Sequence, residues 1–259
     1  MRICFIVGCA RSGTSILGEL IASHPDVKYI FEAHSIWELG GMGVNESHRL
    51  TTEHAVPSVK EQIRNWFDAQ LLDESRLLVE KNPRNILRVP YIKEIFPEAK
   101  IIHIVRDGRD VACSMVPGCG GSEWLHLKPP SWREFFDSYI GAMRCAKAWE
   151  QILEIGLHDL QNYSHLQIRY EELISSPITL ASEILTYLGL RPHKSVNDFC
   201  DRVTNATKDS YQAKVQDRWF RNDHRTRIGR WRENLTESEQ QIIQLFLGPM
   251  LNRLGYTVE

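Results

Sequence analysis

The sequence has no apolar run approaching the ~20 residues that a membrane-crossing helix requires, so a helical membrane span is excluded. Nor does it carry an excess of positive charge. Its formal net charge is −2, which argues against wholesale binding of nucleic acid or of an anionic membrane. The six cysteines (Cys4, Cys9, Cys113, Cys119, Cys145 and Cys200) include no C-x-x-C pair, so they encode neither a zinc site nor a disulfide frame. They read as reduced, mostly buried thiols. Repeats, low-complexity tracts and linkers are missing too. A chain of 259 residues can bury one substantial core, so a single domain over 1–259 is expected. Met1 gives way almost at once to an apolar strand, which leaves no room for a signal peptide and makes a cytoplasmic location the expectation.

What the chain does have is the punctuation of an anion-binding loop. Val7-Gly8-Cys9-Ala10-Arg11-Ser12-Gly13-Thr14-Ser15 follows an apolar run, Ile3 to Val7, and precedes the helix-periodic Ile16, Leu17, Leu20 and Ile21. The two glycines permit backbone angles that let successive N–H groups point at one anion. The following helix adds its unpaired N–H groups and the positive end of its dipole. The spacing is that of a nucleotide P-loop, except that Thr14 replaces the lysine that reaches the β- and γ-phosphates. The loop therefore reads as binding an anion other than the γ-phosphate of ATP, with Arg11 as its own cation.

Further along, short apolar runs alternate with helical patterns. Strands are expected at Val27–Phe31, Leu77–Val79, Lys100–Val105 and Leu166–Tyr170. Residues 33–56 read as a glycine-punctuated mobile loop that carries Trp37. Ser58-x-x-Glu61 is expected to cap one helix, and Ser131-x-x-Glu134 to cap a long one with an apolar face from Trp132 through Ile140 to Leu153. Thr236-x-x-Glu239 caps the last helix, which is expected to break at Gly248-Pro249, whereas 205–232 show no period. Strands separated by helices imply an α/β fold, a P-loop-type central parallel sheet flanked by helices. In such a sheet ligands sit beyond the carboxyl ends of the strands, where the glycine loop, Glu32, Lys81 and Arg106-Asp107 all fall. Arg106 and Ser114, eight residues later, can clasp a second phosphate from a strand end and a helix.

The loop resembles the 5′-phosphosulfate loop of sulfotransferases that use 3′-phosphoadenosine 5′-phosphosulfate (PAPS). In its run to His24-Pro25-Asp26-Val27 it is most similar to the tyrosylprotein sulfotransferase branch. Ile104-Val105-Arg106-Asp107-Gly108-Arg109-Asp110 resembles the family's 3′-phosphate motif, which Ser114 completes. The resemblance implies that Arg11, Ser12, Gly13, Thr14 and Ser15 hold the 5′-phosphosulfate. It also implies that Lys81, in Lys81-Asn82-Pro83, contacts the sulfonate and the bridging oxygen. Pro83 stands where the cytosolic phenol and steroid branch has its basic histidine, so the base must come from elsewhere. The tyrosylprotein branch carries a catalytic glutamate 21 residues beyond the loop arginine, and that position is Glu32; His34 is the reserve. Tyr170 matches a tyrosine that packs on the nucleotide, and Arg225, Arg227, Gly229 and Arg230 match, loosely, a basic loop over the 3′-phosphate.

The resemblance implies a PAPS-dependent sulfotransferase that needs no metal and yields 3′-phosphoadenosine 5′-phosphate (PAP). Its acceptor would be a hydroxyl on a small molecule, a carbohydrate or a tyrosine side chain. Residues 33–57, 116–131 and 205–224 match no motif, and the acceptor would be chosen there; Trp37, Trp66, Trp124 and Trp132 suggest an aromatic or carbohydrate surface, although tryptophans also fill cores. Two alternatives stay open. One is a P-loop kinase or NTPase without the lysine, using Asp107 for Mg²⁺, which Arg106 beside it would oppose. The other is a binder of PAP without turnover.

Overall fold

Every residue of the first strand is buried, on alternate faces, and that sets the architecture. In β1 (Ile3–Val7) residues Ile3, Phe5 and Val7 enter one apolar cluster, while Cys4 and Ile6 enter another on the opposite face. A strand buried on both faces belongs at the centre of a parallel sheet. The computed structural model, which describes residues 1–40, 47–71, 76–116, 127–205 and 224–258, places it there. The sheet runs β2-β3-β1-β4-β5, every pairing parallel, with β2 (Val27–Phe31), β3 (Leu77–Lys81), β4 (Lys100–Val105) and β5 (Leu166–Arg169). The chain leaves β1 through α1 (Thr14–Ala22) for the far edge at β2, returns by β3 and then crosses to β4. The carboxyl end of β1 thus lies at the point where strand order reverses, which is where ligands bind in such sheets.

The remaining elements follow in order. They are α2 (His34–Trp37), α3 (Pro57–Asp68), α4 (Val89–Ile95), α5 (Gly108–Met115), α6 (Trp132–Ser138) and α7 (Gly141–Leu160). Beyond β5 come α8 (Tyr170–Ser175), α9 (Pro177–Leu188), α10 (Lys194–Asn205), α11 (Trp231–Asn234) and α12 (Glu237–Arg253). The first face of the sheet packs residues of α3, α4, α5, α7 and α12; the second packs those of α1, α8, α9 and α10.

Several local expectations are corrected. Pro57, not Ser58, opens α3: it fills the first helical position, and no side chain caps the helix. The long helix after Ser131 is two. It stops at Ser138 and restarts at Gly141, whose φ of 53° lies outside the right-handed helical region, and Ile140 between them is 77% exposed instead of on the apolar stripe. The last helix does not break at Gly248-Pro249 but runs on to Arg253. Its N-terminus has the expected capping box between Thr236 and Glu239. Residues 33–40 are no loop: α2 and a 3₁₀ turn bury Trp37 completely against Phe5, Phe67 and Tyr91. The helix α10 has no counterpart among the expected elements, although its apolar residues Val196, Phe199, Cys200 and Val203 carry the helical spacing of three and four. Trp124 and Cys119 lie outside the described residues. The five other cysteines are buried, and among the described residues no helix is long and apolar enough to cross a membrane.

Candidate active site

The glycine loop is held by close approach. A Cβ on Gly8 would stand 2.5 Å from the backbone oxygen of Ile104 on β4. Gly13 has φ 95°, and a Cβ there would meet Cδ2 of Tyr170 at 2.4 Å, so two independent constraints demand glycine. Gly13 is also the N-cap of α1 and offers no side-chain bond; the first donor inside the helix, Leu17 N–H, reaches Gly13 O at 3.1 Å. The N–H groups of Thr14, Ser15 and Ile16 therefore have no acceptor within the helix. The hydroxyl of Ser12 is buried beside them with no hydrogen-bond partner. Arg11 adopts φ 67° in the same turn, a left-handed conformation that a side chain disfavours and that clusters at functional sites. An uncapped helix end, a buried orphan hydroxyl and an arginine fit the phosphosulfate expected here.

Two strands away in space, Glu32 follows β2 with φ 49°, a second left-handed residue. The strand next to β1 in sequence is thus not its neighbour; β3 lies between them, and its Lys81 is in register with both Ile6 and Phe31. Lys81 Nζ donates to Glu32 Oε1 at 2.5 Å and lies 3.7 Å from the centre of the Phe31 ring. Its side chain is only 1% exposed, and this burial holds its pKa below the ordinary lysine value despite the nearby Glu32 charge. Glu32 Oε2 contacts His34 Nε2 at 3.1 Å. Burial raises the Glu32 pKa, but the hydrogen bonds and charges of His34 and Lys81 outweigh it and pull the carboxyl down to about 2. The two expected bases therefore share one cluster with Lys81.

The residues expected at a second phosphate are tied to the glycine loop by one side chain. Arg106 donates to Arg11 O at 3.0 Å and to Arg227 O at 2.5 Å, and stacks 4.4 Å over the Tyr170 ring. It bridges the glycine loop to the C-terminal basic segment, where Arg225–Arg227 form a 3₁₀ turn and Gly229 has φ 77°. Ser114 lies buried in α5, its hydroxyl donating to Val111 O at 2.8 Å, so its proton is spent within the helix. Tyr170 is 1% exposed and wedged between Gly13 and Arg106, with its hydroxyl 2.9 Å from His224 Nδ1.

Three residues escaped the sequence reading: Asp110, Glu80 and His224. Asp110 is buried at the start of α5 and accepts from the Gly229 and Trp231 N–H groups at 2.8 and 3.2 Å. Burial, against the pull of Arg106, raises its pKa to about 6. Its signal was the second acid in Arg106-Asp107-Gly108-Arg109-Asp110; for Glu80 it was an acid inside an apolar strand. Of the tryptophans, Trp37 is core, Trp66 is half-buried against Phe67, and Trp132 is half-buried with Lys128 Nζ 4.7 Å above its ring.

Known proteins share this fold. A sulfotransferase domain from the curacin biosynthetic pathway superposes with a TM-score of 0.62 at 17% identity, covering 100% of this chain and 99% of its own. Mouse sulfotransferase SULT7A1, solved with PAP, gives a TM-score of 0.54 at 15% identity over 97% of this chain and 85% of its own. Protein-tyrosine sulfotransferase 1 of Danio rerio is 24% identical over 99% of this chain and 72% of its own length. The chain spans only 52% and 66% of two other curated relatives. A model described as the sulfotransferase family matches residues 4–194, from β1 through the glycine loop, Glu32, Lys81, Arg106 and Tyr170 to the start of α10. With that match spanning most of the chain, the protein belongs to the sulfotransferase family.

Proposed function

We propose that the protein transfers the sulfuryl group of PAPS to an acceptor hydroxyl and releases PAP. The observation that carries this reading is the Glu32–Lys81 pair on adjoining strands, at the same carboxyl end of the sheet as the uncapped glycine loop. In the proposed step Glu32 takes the hydroxyl proton, the acceptor oxygen bonds to sulfur, and the bond from sulfur to the 5′-phosphate oxygen breaks. The N–H groups of the glycine loop, Arg11 and Lys81 neutralise the charge that grows on the departing phosphate and the sulfonate oxygens. These cations take the part that Mg²⁺ plays in P-loop NTPases, so we propose that no metal is required. A carboxyl held near 2 is a weak base. A sulfonate that engages Lys81 draws away one of its two partners, so the base strengthens only when PAPS is in place.

The acceptor is proposed to be the hydroxyl of a tyrosine side chain, a small molecule or a carbohydrate. The name of the Danio rerio relative favours tyrosine. A cytoplasmic site of action is proposed with it. PAP release should be followed with tyrosine peptides, phenols and oligosaccharides in the presence of EDTA. Acceptor-dependent release by the wild type, abolished in E32Q, is the expected result. Binding of PAP with no release for any acceptor would make the protein a non-catalytic binder.

A further inference from the structure

Glu80 is a carboxylate in the wrong place for a core strand. It precedes Lys81 on β3 and shares a face with Leu78, in the apolar cluster that holds Phe5, Ile86 and Leu87. It is fully buried, and among the described residues it makes no ion pair. A charge in such a site costs several kcal/mol unless hydrogen bonds satisfy it. Its donors are revealing. Oε1 accepts from the Ala33 N–H at 3.3 Å and from the Trp37 indole at 3.5 Å; Oε2 accepts from Asn85 Nδ2 at 2.5 Å. Two of the three belong to the segment that follows Glu32, and Ala33 is the next residue.

That segment needs a hold. Glu32 is strained at φ 49°, and its backbone is fixed on one side by its N–H bond to Lys81 O at 2.8 Å. On the other side Ala33 and α2 are fixed to Glu80. Asn85 is itself oriented by Arg88, whose Nε donates to its Oδ1 at 2.9 Å, and the Arg88 guanidinium lies 5.1 Å from the Trp37 ring. Burial raises the Glu80 pKa to about 7, although Arg88 and the three donors lower it. We propose that Glu80 is a positioning residue for the transfer reaction: by clamping Ala33 and Trp37 it holds Glu32 in its left-handed turn, with the carboxylate against Lys81. This rests on the reading of Glu32 as the base. A carboxylate buried merely for folding has no need to grip the residue beside the base.

The test is a swap. Glu80→Gln presents an amide to the Asn85 amide, two donors face to face. Adding Asn85→Asp restores a donor–acceptor pair and leaves an oxygen for Arg88. The measurements are kcat, KM for PAPS and the melting shift with PAP for E80Q, E80Q/N85D, W37F and E32Q. The expected result is a kcat at least tenfold lower in E80Q with KM for PAPS within about twofold, and recovery to within threefold in E80Q/N85D. W37F, which removes one donor and leaves Glu80 intact, is expected to lower kcat several-fold at unchanged KM; it decides the matter if either Glu80 variant fails to fold. An unchanged kcat in E80Q, or in W37F when it stands alone, overturns the proposal. So does a kcat loss that the swap leaves unrepaired or that PAPS binding shares equally. The two readings fail separately: a fully active E32Q rejects the base, whereas an inactive E32Q beside a normal E80Q rejects only the clamp.

Discussion

Glu32 combines a disfavoured backbone, of order 1–3 kcal/mol for a residue held in that region, with a carboxylate shared between Lys81 and His34. Such a combination persists where a reaction uses it. Glu32→Gln keeps the shape and removes the base, so turnover should fall roughly 10²- to 10⁴-fold while PAP affinity, read by calorimetry, stays within about twofold. Normal turnover in E32Q together with a dead His34→Ala would transfer the role to the histidine. The same carboxyl predicts a pH dependence. Its folded pKa, about 2, lies below its ordinary 4.5, so the stabilisation it gives is complete above pH 4.5 and is lost as pH falls toward 2. The melting-temperature gap between wild type and E32Q should narrow across that window, and a constant gap would mean that the pair contributes no proton-linked stability.

Between elements, the decisive contacts are those that the stretch from the end of β4 into α5 makes with the glycine loop and the chain's C-terminal third. Arg106 holds the carbonyls of Arg11 and Arg227, and Asp110 holds the N–H groups of Gly229 and Trp231, so the basic segment docks beside the glycine loop through backbone contacts. These contacts bring the Arg225–Arg227 turn and Gly229 beside the glycine loop even though their motif match is loose. Asp110→Asn should turn an amide N–H₂ against one of those backbone donors. A buried mismatch of about 1–3 kcal/mol should weaken PAP by about tenfold or more in titration calorimetry. Undiminished PAP affinity in D110N would detach the segment from the cosubstrate site.

Over the whole molecule, the residues proposed to hold the two phosphates come from elements far apart in sequence, so occupancy should stabilise the entire fold. At a hundredfold excess over its dissociation constant PAP should add about 2.7 kcal/mol, or roughly 5–10 °C in melting temperature for a domain of this size. ATP with Mg²⁺ should give much less, and EDTA should not reverse the PAP shift. Equal shifts by ATP, abolished by EDTA, would favour the kinase alternative.

Local chemistry settled a good part of this in advance. The strands, the glycine loop and the residues that terminate each strand are visible in the sequence because apolar period, glycine backbone freedom and helix-end charge act over a few residues. Glu32, Lys81 and Arg106 stood out as charged side chains just where apolar runs stop, and the resemblance gave them roles. Longer-range choices were hidden. The sequence places β2 after β1 but not β3 between them, and only the sheet order brings Lys81 to Glu32. Trp37 looked like a loop residue until Phe5, Phe67 and Tyr91 closed around it. Glu80 and Asp110 carry no role in the sequence alone, and their meaning comes from backbone N–H groups 47 and 119 residues away. Periodicity and turn chemistry are properties of neighbours along the chain, whereas a buried carboxylate is defined by which distant donors the packed core delivers to it.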